Sequence, residues 1–218
     1  MRLVARLLTY FYRHLYHGFA FAYDAVAAAV SFGQWRVWIR MTLPYVQGAR
    51  ILEIGHGPGH LQWILHGSAG ALKAGSGLFV AGLDESTQMG RIARRRLLHA
   101  GIDSPCLTRG MAQAIPYQAE TFDTVVSTFP SGYIFQIETL AEVHRVLRAG
   151  GRLIVLPAVW PKRQPLKWLY RFTGEAPTES PIVMQEKWSQ PYASAGFSCR
   201  VEIIDLRSSI LLLIIATK

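Results

Sequence analysis

A short apolar segment, Arg50–Ile54, runs directly into a glycine-rich turn, Gly55-His56-Gly57-Pro58-Gly59-His60, and no other feature limits the fold of this chain as strongly. A strand that delivers the chain to glycines reaches backbone conformations closed to other residues. With no side chains in the way, a ligand can lie directly against the main chain, and a helix beginning near His60 offers its first amides as donors. The dinucleotide pattern G-x-G-x-x-G needs a glycine at residue 60, where His60 stands, so the spacing here is G-x-G-x-G. On the loop alone, a ligand cradle and a purely structural tight turn both remain open.

The chain beyond the turn alternates between strand and helix periods. Leu78–Leu83 reads as a second strand, and Thr87–Ala100 as a helix with Met89, Ile92, Ala93 and Leu97 inward, closed by Gly101. Cys106–Arg109, Thr124–Thr128 and Arg152–Leu156 read as the third, fourth and fifth strands. Thr139–Arg148 reads as a helix with Arg145 and Arg148 in its last turn, stopped by Gly150-Gly151. This spacing predicts a parallel sheet covered on both faces. Val201–Leu206 and Ile210–Thr217 are separated by three residues, too few for a crossover, so they pair as an antiparallel hairpin.

Asp84 follows the second strand. A carboxylate there can accept from both hydroxyls of a ribose, or it can cap the helix starting near Ser86. Ser127, Thr128 and Phe129 end the fourth strand, on the rim where open α/β sheets meet their substrates, with Tyr133 just beyond.

These residues resemble a known family. The E-x-G-x-G-x-G loop from Glu53 to Gly59, the acidic end of strand two, Gln113-Ala114-Ile115-Pro116 before Thr121-Phe122-Asp123, and Arg145-Val146-Leu147-Arg148-Ala149-Gly150-Gly151-Arg152 are similar to the ordered motifs of class I S-adenosylmethionine-dependent methyltransferases. The match covers roughly residues 50–156. It implies an α/β, Rossmann-like, seven-stranded and mostly parallel sheet with a C-terminal antiparallel hairpin, and S-adenosyl-L-methionine as cofactor. Glu53 would then hold the methionyl amino group, and Gly55, His56, Gly57 and Gly59 would border the methionine part. Asp84, with Glu85 beside it, would bind the ribose, and Met111, Ala112 and Gln113 would line the adenine. Ser127 and Tyr23 complete the implied cofactor contacts. Position 111 departs from the family, which often has an aspartate where this chain has Met111.

Residues 1–45 read as an N-terminal helical extension to a methyltransferase domain at 46–218. Its segments are an amphipathic helix at 2–17, a second around Ala22–Val30 and a third around Gln34–Met41. Tyr23-Asp24, Ser31-Phe32-Gly33, Trp38 and Arg40 resemble the leader of the ubiquinone/menaquinone C-methyltransferases. Pro157-Ala158-Val159-Trp160, following strand five, departs from that group's glutamate-phenylalanine-serine ending and implies a related enzyme with a different acceptor.

Charge and composition narrow the partners. The net charge of +9 suits nucleic acid, an anionic membrane or an acidic substrate, and with half of the residues hydrophobic it favours a membrane surface. Trp160–Arg171 interleaves basic residues with tryptophan and tyrosine, as an interfacial helix or acceptor lid requires; an ordinary surface helix fits the same residues. No stretch reaches the ~18 apolar residues needed to span a bilayer. The N-terminus lacks the clean apolar core and cleavage site of a signal peptide, so the expected place is the cytoplasm, with peripheral contact at the inner face of a membrane. Cys106 and Cys199 have no metal-ligand spacing, and neither a metal site nor a disulfide is expected.

The expected activity is methyl transfer to a small hydrophobic or lipid-like acceptor, a quinone precursor or a phospholipid head group, with no residue named as general base. RNA or protein methylation is the first alternative. No added RNA-binding module is evident and strand four ends Ser127-Thr128-Phe129-Pro130, so nucleic acid is not the expected partner. A nicotinamide-dependent oxidoreductase or a non-catalytic nucleotide-binding protein stands as the further alternative. The residues say nothing about oligomeric state.

Overall fold

The computed structural model describes residues 34–68, 77–162 and 181–218. The helical segments expected at 2–17 and 22–30, Tyr23, and residues 163–171 of the basic aromatic segment lie outside the described residues.

The described chain forms α1 (Trp35–Arg40), β1 (Arg50–Ile54), α2 (His60–Gly67), β2 (Phe79–Asp84), α3 (Thr87–His99), β3 (Cys106–Arg109), β4 (Phe122–Thr128), α4 (Ile137–Val146), β5 (Leu147–Pro161), α5 (Pro181–Ser194), β6 (Ser198–Asp205) and β7 (Ser209–Thr217). Short 3-10 turns occupy Leu43–Tyr45 and Gly132–Phe135. The sheet has seven strands in the order β3-β2-β1-β4-β5-β7-β6. The first five are parallel, and β7 runs antiparallel between β5 and β6. This is the α/β, mostly parallel architecture with a C-terminal hairpin that the alternation predicts.

The central parallel strands are mostly apolar because both faces are covered. On one face Leu52, Ile54, Val125 and Leu153 pack with Leu140, Val143 and Val146 of α4 and with Tyr192 of α5. On the other, Ile51, Val80, Val126 and Ile154 pack with Leu61, Ile64 and Leu65 of α2 and with Trp38 and Ile39 of α1. Trp38 is fully buried, and its Nε1 donates to Ser209 Oγ at 2.9 Å, so α1 is fastened to the start of β7. Residues 34–45 therefore share the core of the sheet.

Several boundaries shift by one to three residues, and two of the differences have a clear physical reason. The helix expected over Thr139–Arg148 ends at Val146, because Leu147 is extended (ψ 139°) and pairs with Phe122. Arg148–Gly151 then form an excursion, with Gly150 at φ 72°, before Arg152 resumes the ladder opposite Thr124. Arg145 keeps its place in the last helical turn, bonded to Glu142 at 2.7 Å. Arg148 instead reaches Asp123 Oδ1 at 2.8 Å. Asp123 Oδ2 accepts the amides of Ala49 and Arg50 at 3.0 and 2.9 Å, so Asp123 anchors the entry to β1. The second difference is that Pro157–Trp160, expected beyond strand five, still belong to β5 and pair with β7 from Ala158 on. The helix α5, which contains Pro191, has no counterpart among the elements expected from the sequence.

Candidate functional site

The C-terminal ends of β1, β2 and β4 converge on the glycine turn. Gly55 N donates to Leu83 O at 2.7 Å, tying the turn to the end of β2. The three glycines meet three different surroundings. A side chain at Gly55 would run into the Tyr133 hydroxyl, 2.4 Å from where its Cβ would stand. At Gly59 it would meet Ala93 Cβ at 2.9 Å and Ala93 Cα at 3.1 Å, so this glycine lets α3 close on the start of α2. At Gly57 it would meet nothing within 4 Å. Of the three, Gly57 is the position whose bare main chain faces open space.

Asp84 lies beside it and is buried. Its Oδ2 accepts from Gly57 N and its Oδ1 from Ser86 N, each at 2.8 Å. Ser86 is the residue that caps α3, its Oγ accepting from Met89 N at 3.3 Å. Asp84 thus joins the turn to the helix entrance while Ser86 does the capping. A carboxylate has about four acceptor sites, so two amides are compatible with a ligand diol as well. From α3, the Arg96 guanidinium donates to the Pro58 carbonyl and braces the turn.

Glu53 is 1% exposed, and its Oε2 accepts from Gln62 Nε2 at 2.9 Å. Burial pushes its carboxyl well above the ordinary value, and the Asp84 charge adds to the shift. A buried carboxyl in this state is neutral, and a cation placed beside it would draw off its proton and pair with the carboxylate. Gln62 also donates to Ala81 O at 3.1 Å, while its own Oε1, buried in α2, has no hydrogen-bond partner. Glu53 and Gln62 therefore form a polar pocket within the α2 face of the sheet.

The His56 ring is not in the open. It is 4% exposed, with Nδ1 at 2.7 Å from Gly57 O and Cδ2 at 2.9 Å from where a Gly82 Cβ would stand. Gly82 is the space that receives the ring. Burial lowers the pKa of His56 and keeps it neutral. The ring is packed beneath the turn, so any part of His56 that borders a ligand would be its main chain.

The end of β3 comes to the same rim. Gly110 N donates to Asp84 O at 3.1 Å, and Arg109 Nε donates to Glu85 O at the same distance, which sets Met111, Ala112 and Gln113 next to Asp84 and Glu85. Met111 is 56% exposed and Ala112 is buried. Gln113 Nε2 is turned to Gln136 Oε1 at 2.6 Å. Ser127, fully buried at the end of β4, donates its hydroxyl to Ile54 O at 2.8 Å.

This geometry coincides with a family. The ubiE/COQ5 methyltransferase family matches residues 9–176. The chain belongs to that family. Its relatives include the ubiquinone/menaquinone biosynthesis C-methyltransferase UbiE of Citrobacter koseri, 29% identical over 162 residues that cover 72% of this chain and 62% of the relative. A demethylmenaquinone methyltransferase of Symbiobacterium thermophilum is 34% identical over 154 residues, 68% of this chain and 59% of the relative. The aligned region thus spans about three-fifths of the length of these curated relatives. Among solved structures, phosphoethanolamine N-methyltransferase 2 of Haemonchus contortus superposes with a TM-score of 0.60 at 16% identity, over 85% of this chain and 53% of that one. A SAM-dependent methyltransferase from Aquifex aeolicus superposes at 0.57 and 16% identity, over 82% and 88%. At these identities the superpositions establish the fold.

The predicted residues Glu53, Gly55, Gly57, Gly59, Asp84, Glu85, Ala112 and Ser127 are gathered along one rim by β1, β2, β3 and β4. Two residues of this region were missed or undervalued. Gln62 left one signal, a polar residue at a position of α2 flanked by buried Leu61 and Ile64. Tyr133 was legible only as a residue just beyond the rim, since its contact with Gly55 joins residues far apart in the chain.

Proposed function

We propose that this chain is an S-adenosyl-L-methionine-dependent methyltransferase acting on a small hydrophobic acceptor of the quinone-precursor type. The observation that carries this reading is the room at Gly57, where a side chain would meet nothing within 4 Å, beside the buried carboxyl of Asp84 at the end of β2, with buried Glu53 near the end of β1. Such a site suits a ligand that lies on the main chain, presents a diol at one end and carries positive charge at the other. The names borne by the Citrobacter and Symbiobacterium relatives supply the acceptor class.

The residues present fit the cofactor. Asp84 would receive the ribose hydroxyls, Gly57 would allow close approach, and Glu53, held by Gln62, would receive the amino group. Bound there, the cofactor would supply a methyl group from its sulfonium: the acceptor's electron pair would bond to the methyl carbon as the carbon–sulfur pair returned to sulfur. What the chain contributes is alignment and exclusion of water. His56 is packed under the turn and Tyr133 is held in its neutral form by burial, so neither supplies a base from its present position.

A lipid-like acceptor and a net charge of +9 agree with peripheral contact at an anionic membrane from the cytoplasmic side. No helix among the described residues is long and apolar enough to cross a membrane. Flotation with anionic liposomes at low salt tests the contact, and absence of binding removes it.

The central test is calorimetric titration with S-adenosylmethionine, S-adenosylhomocysteine and NAD on the wild type and on Asp84→Ala. The expected result is binding of both adenosyl ligands in preference to NAD, weakened at least about a hundredfold in the variant through loss of charge-assisted bonds. Preference for NAD, or no adenosyl binding by the wild type, overturns the reading.

A further inference from the structure

The turn after β4 is built against its own conformational preferences. Phe129 has a φ of 51°, a left-handed conformation that bulky residues rarely adopt. It is held there from two sides. Its amide donates to Leu156 O at 2.7 Å, and its ring stacks on Trp35 of α1 with centroids 4.1 Å apart. Four residues on, the Gly132–Phe135 turn is pinned by fully buried Ile134 and by Phe135, whose ring lies 5.7 Å from Trp188 and 6.0 Å from Tyr192 of α5. Strain of this kind persists where the surroundings over-determine the backbone. Here it delivers Tyr133.

The Tyr133 hydroxyl is seated over Gly55, in the space any side chain at that position would claim. It lies 3.1 Å from Ser127 Oγ and 3.4 Å from Ile54 O, two long contacts, while Ser127 makes the short bond to Ile54 O at 2.8 Å. The phenol is therefore held in place without a strong partner for its proton. Its electrostatic surroundings are acidic, because Asp84, Glu53 and Glu85 all act on it, and together with burial they keep it neutral. A neutral hydroxyl at this point can donate to a carboxylate or accept from an ammonium. The acids around it favour a ligand that brings positive charge.

We infer that Tyr133 is a cofactor-binding residue, whose hydroxyl over Gly55 meets the amino-acid end of S-adenosylmethionine. This rests on the cofactor reading of the site and extends it. The ribose end is served by Asp84 at the end of β2 and the amino-acid end by Glu53 and Tyr133, which face the turn from the β1 and β4 side.

The test compares two ligands that differ at that end. S-Adenosylhomocysteine carries the amino-acid group, and 5′-methylthioadenosine keeps the adenosine and a thioether but lacks it. Calorimetry on Tyr133→Phe, which keeps the ring and removes the hydroxyl, should show S-adenosylhomocysteine binding weakened about tenfold or more and methylthioadenosine binding changed less than about twofold. Ser127→Ala, which removes the hydroxyl beside Tyr133, should shift the first ligand in the same direction by less. Equal losses for both ligands would mean that the substitution disturbs the turn as a whole, and no loss for either would mean that the hydroxyl touches no ligand; both overturn the inference while leaving the cofactor reading intact. Failure of the wild type to bind either ligand removes the cofactor reading and this inference with it.

Discussion

The two halves of the sheet's C-terminal rim are made in different ways. Along β1, β2 and β3 the site is main chain: Gly55 N on Leu83 O, Gly57 N on Asp84, Gly110 N on Asp84 O. Along β4 and β5 it is made of side chains brought from far away, Trp35 on Phe129, Tyr133 on Gly55, Trp188 on Phe135. A main-chain site needs residues that permit particular backbone paths, and these leave a local mark in the sequence. A side-chain site needs residues that meet only after folding. On the proposed reading the first half would hold the cofactor, with Tyr133 reaching over from the second half, whose remaining surface would face the acceptor. A chain can therefore keep the first and change the second.

The largest effects expected separate two glycines within one turn. In Gly59→Ala the new Cβ, at φ 80°, collides with Ala93 of α3, including its backbone, and destabilisation of about 2–4 kcal/mol is expected from the left-handed backbone and the overlap together. In Gly57→Ala the new Cβ enters open space at φ 50°, so the cost should stay near ~1 kcal/mol. Ligand affinity should reverse the order: Gly57→Ala places a methyl group where the ligand lies and should weaken S-adenosylhomocysteine about tenfold or more per unit of folded protein. Urea midpoints together with calorimetry on both variants give the two rankings. If the rankings agree, the turn is one structural unit and Gly57 has no separate ligand role.

These glycines also show how far the sequence could be read. The turn, Asp84, the succession of strands along the chain up to β5 and the hairpin followed from local patterns, since apolar runs and glycine spacing act over a few residues. The three roles of Gly55, Gly57 and Gly59 did not, because each depends on what approaches from another element. The end of α4 was misplaced for a related reason. Leu147 and Arg148 continue a helical pattern as well as an extended one, and pairing with Phe122 decides between them. The place of the His56 ring was not legible either, because nothing near it in sequence reveals that Gly82, on β2, vacates the space its ring fills.

A second effect appears as a slope with pH and sharpens the comparison on the β1 side. Glu53 is buried, and its folded carboxyl titrates above the ordinary value of 4.5, so the folded chain keeps a proton that the unfolded chain releases. Stability contributed by this group must therefore fall as pH rises from about 4.5 to the folded value, then level off. The partner groups Asp123 and Glu142 have depressed values, and they act in the opposite sense at lower pH. Urea melts of wild type and Glu53→Gln at matched pH isolate the term: the variant should gain on the wild type through that window. Parallel curves would mean that Glu53 is ionised in the free protein and is not waiting for a cation.

The smallest effect tests whether the two halves of the rim are independent. Trp38→Phe keeps an aromatic ring against Phe129 but removes the 2.9 Å bond from Nε1 to buried Ser209 Oγ, which should cost about 1–2 kcal/mol. Trp38 belongs to the helix that stacks on the β4 turn, and it makes no contact with the glycine turn among those described. Affinity for S-adenosylhomocysteine should stay within about twofold of wild type, because sites without shared partners add independently. If affinity falls well beyond that, the strain at Phe129 is transmitted through Tyr133 to Gly55, and the α1 helix helps to shape the cofactor site as well as the surface facing the acceptor.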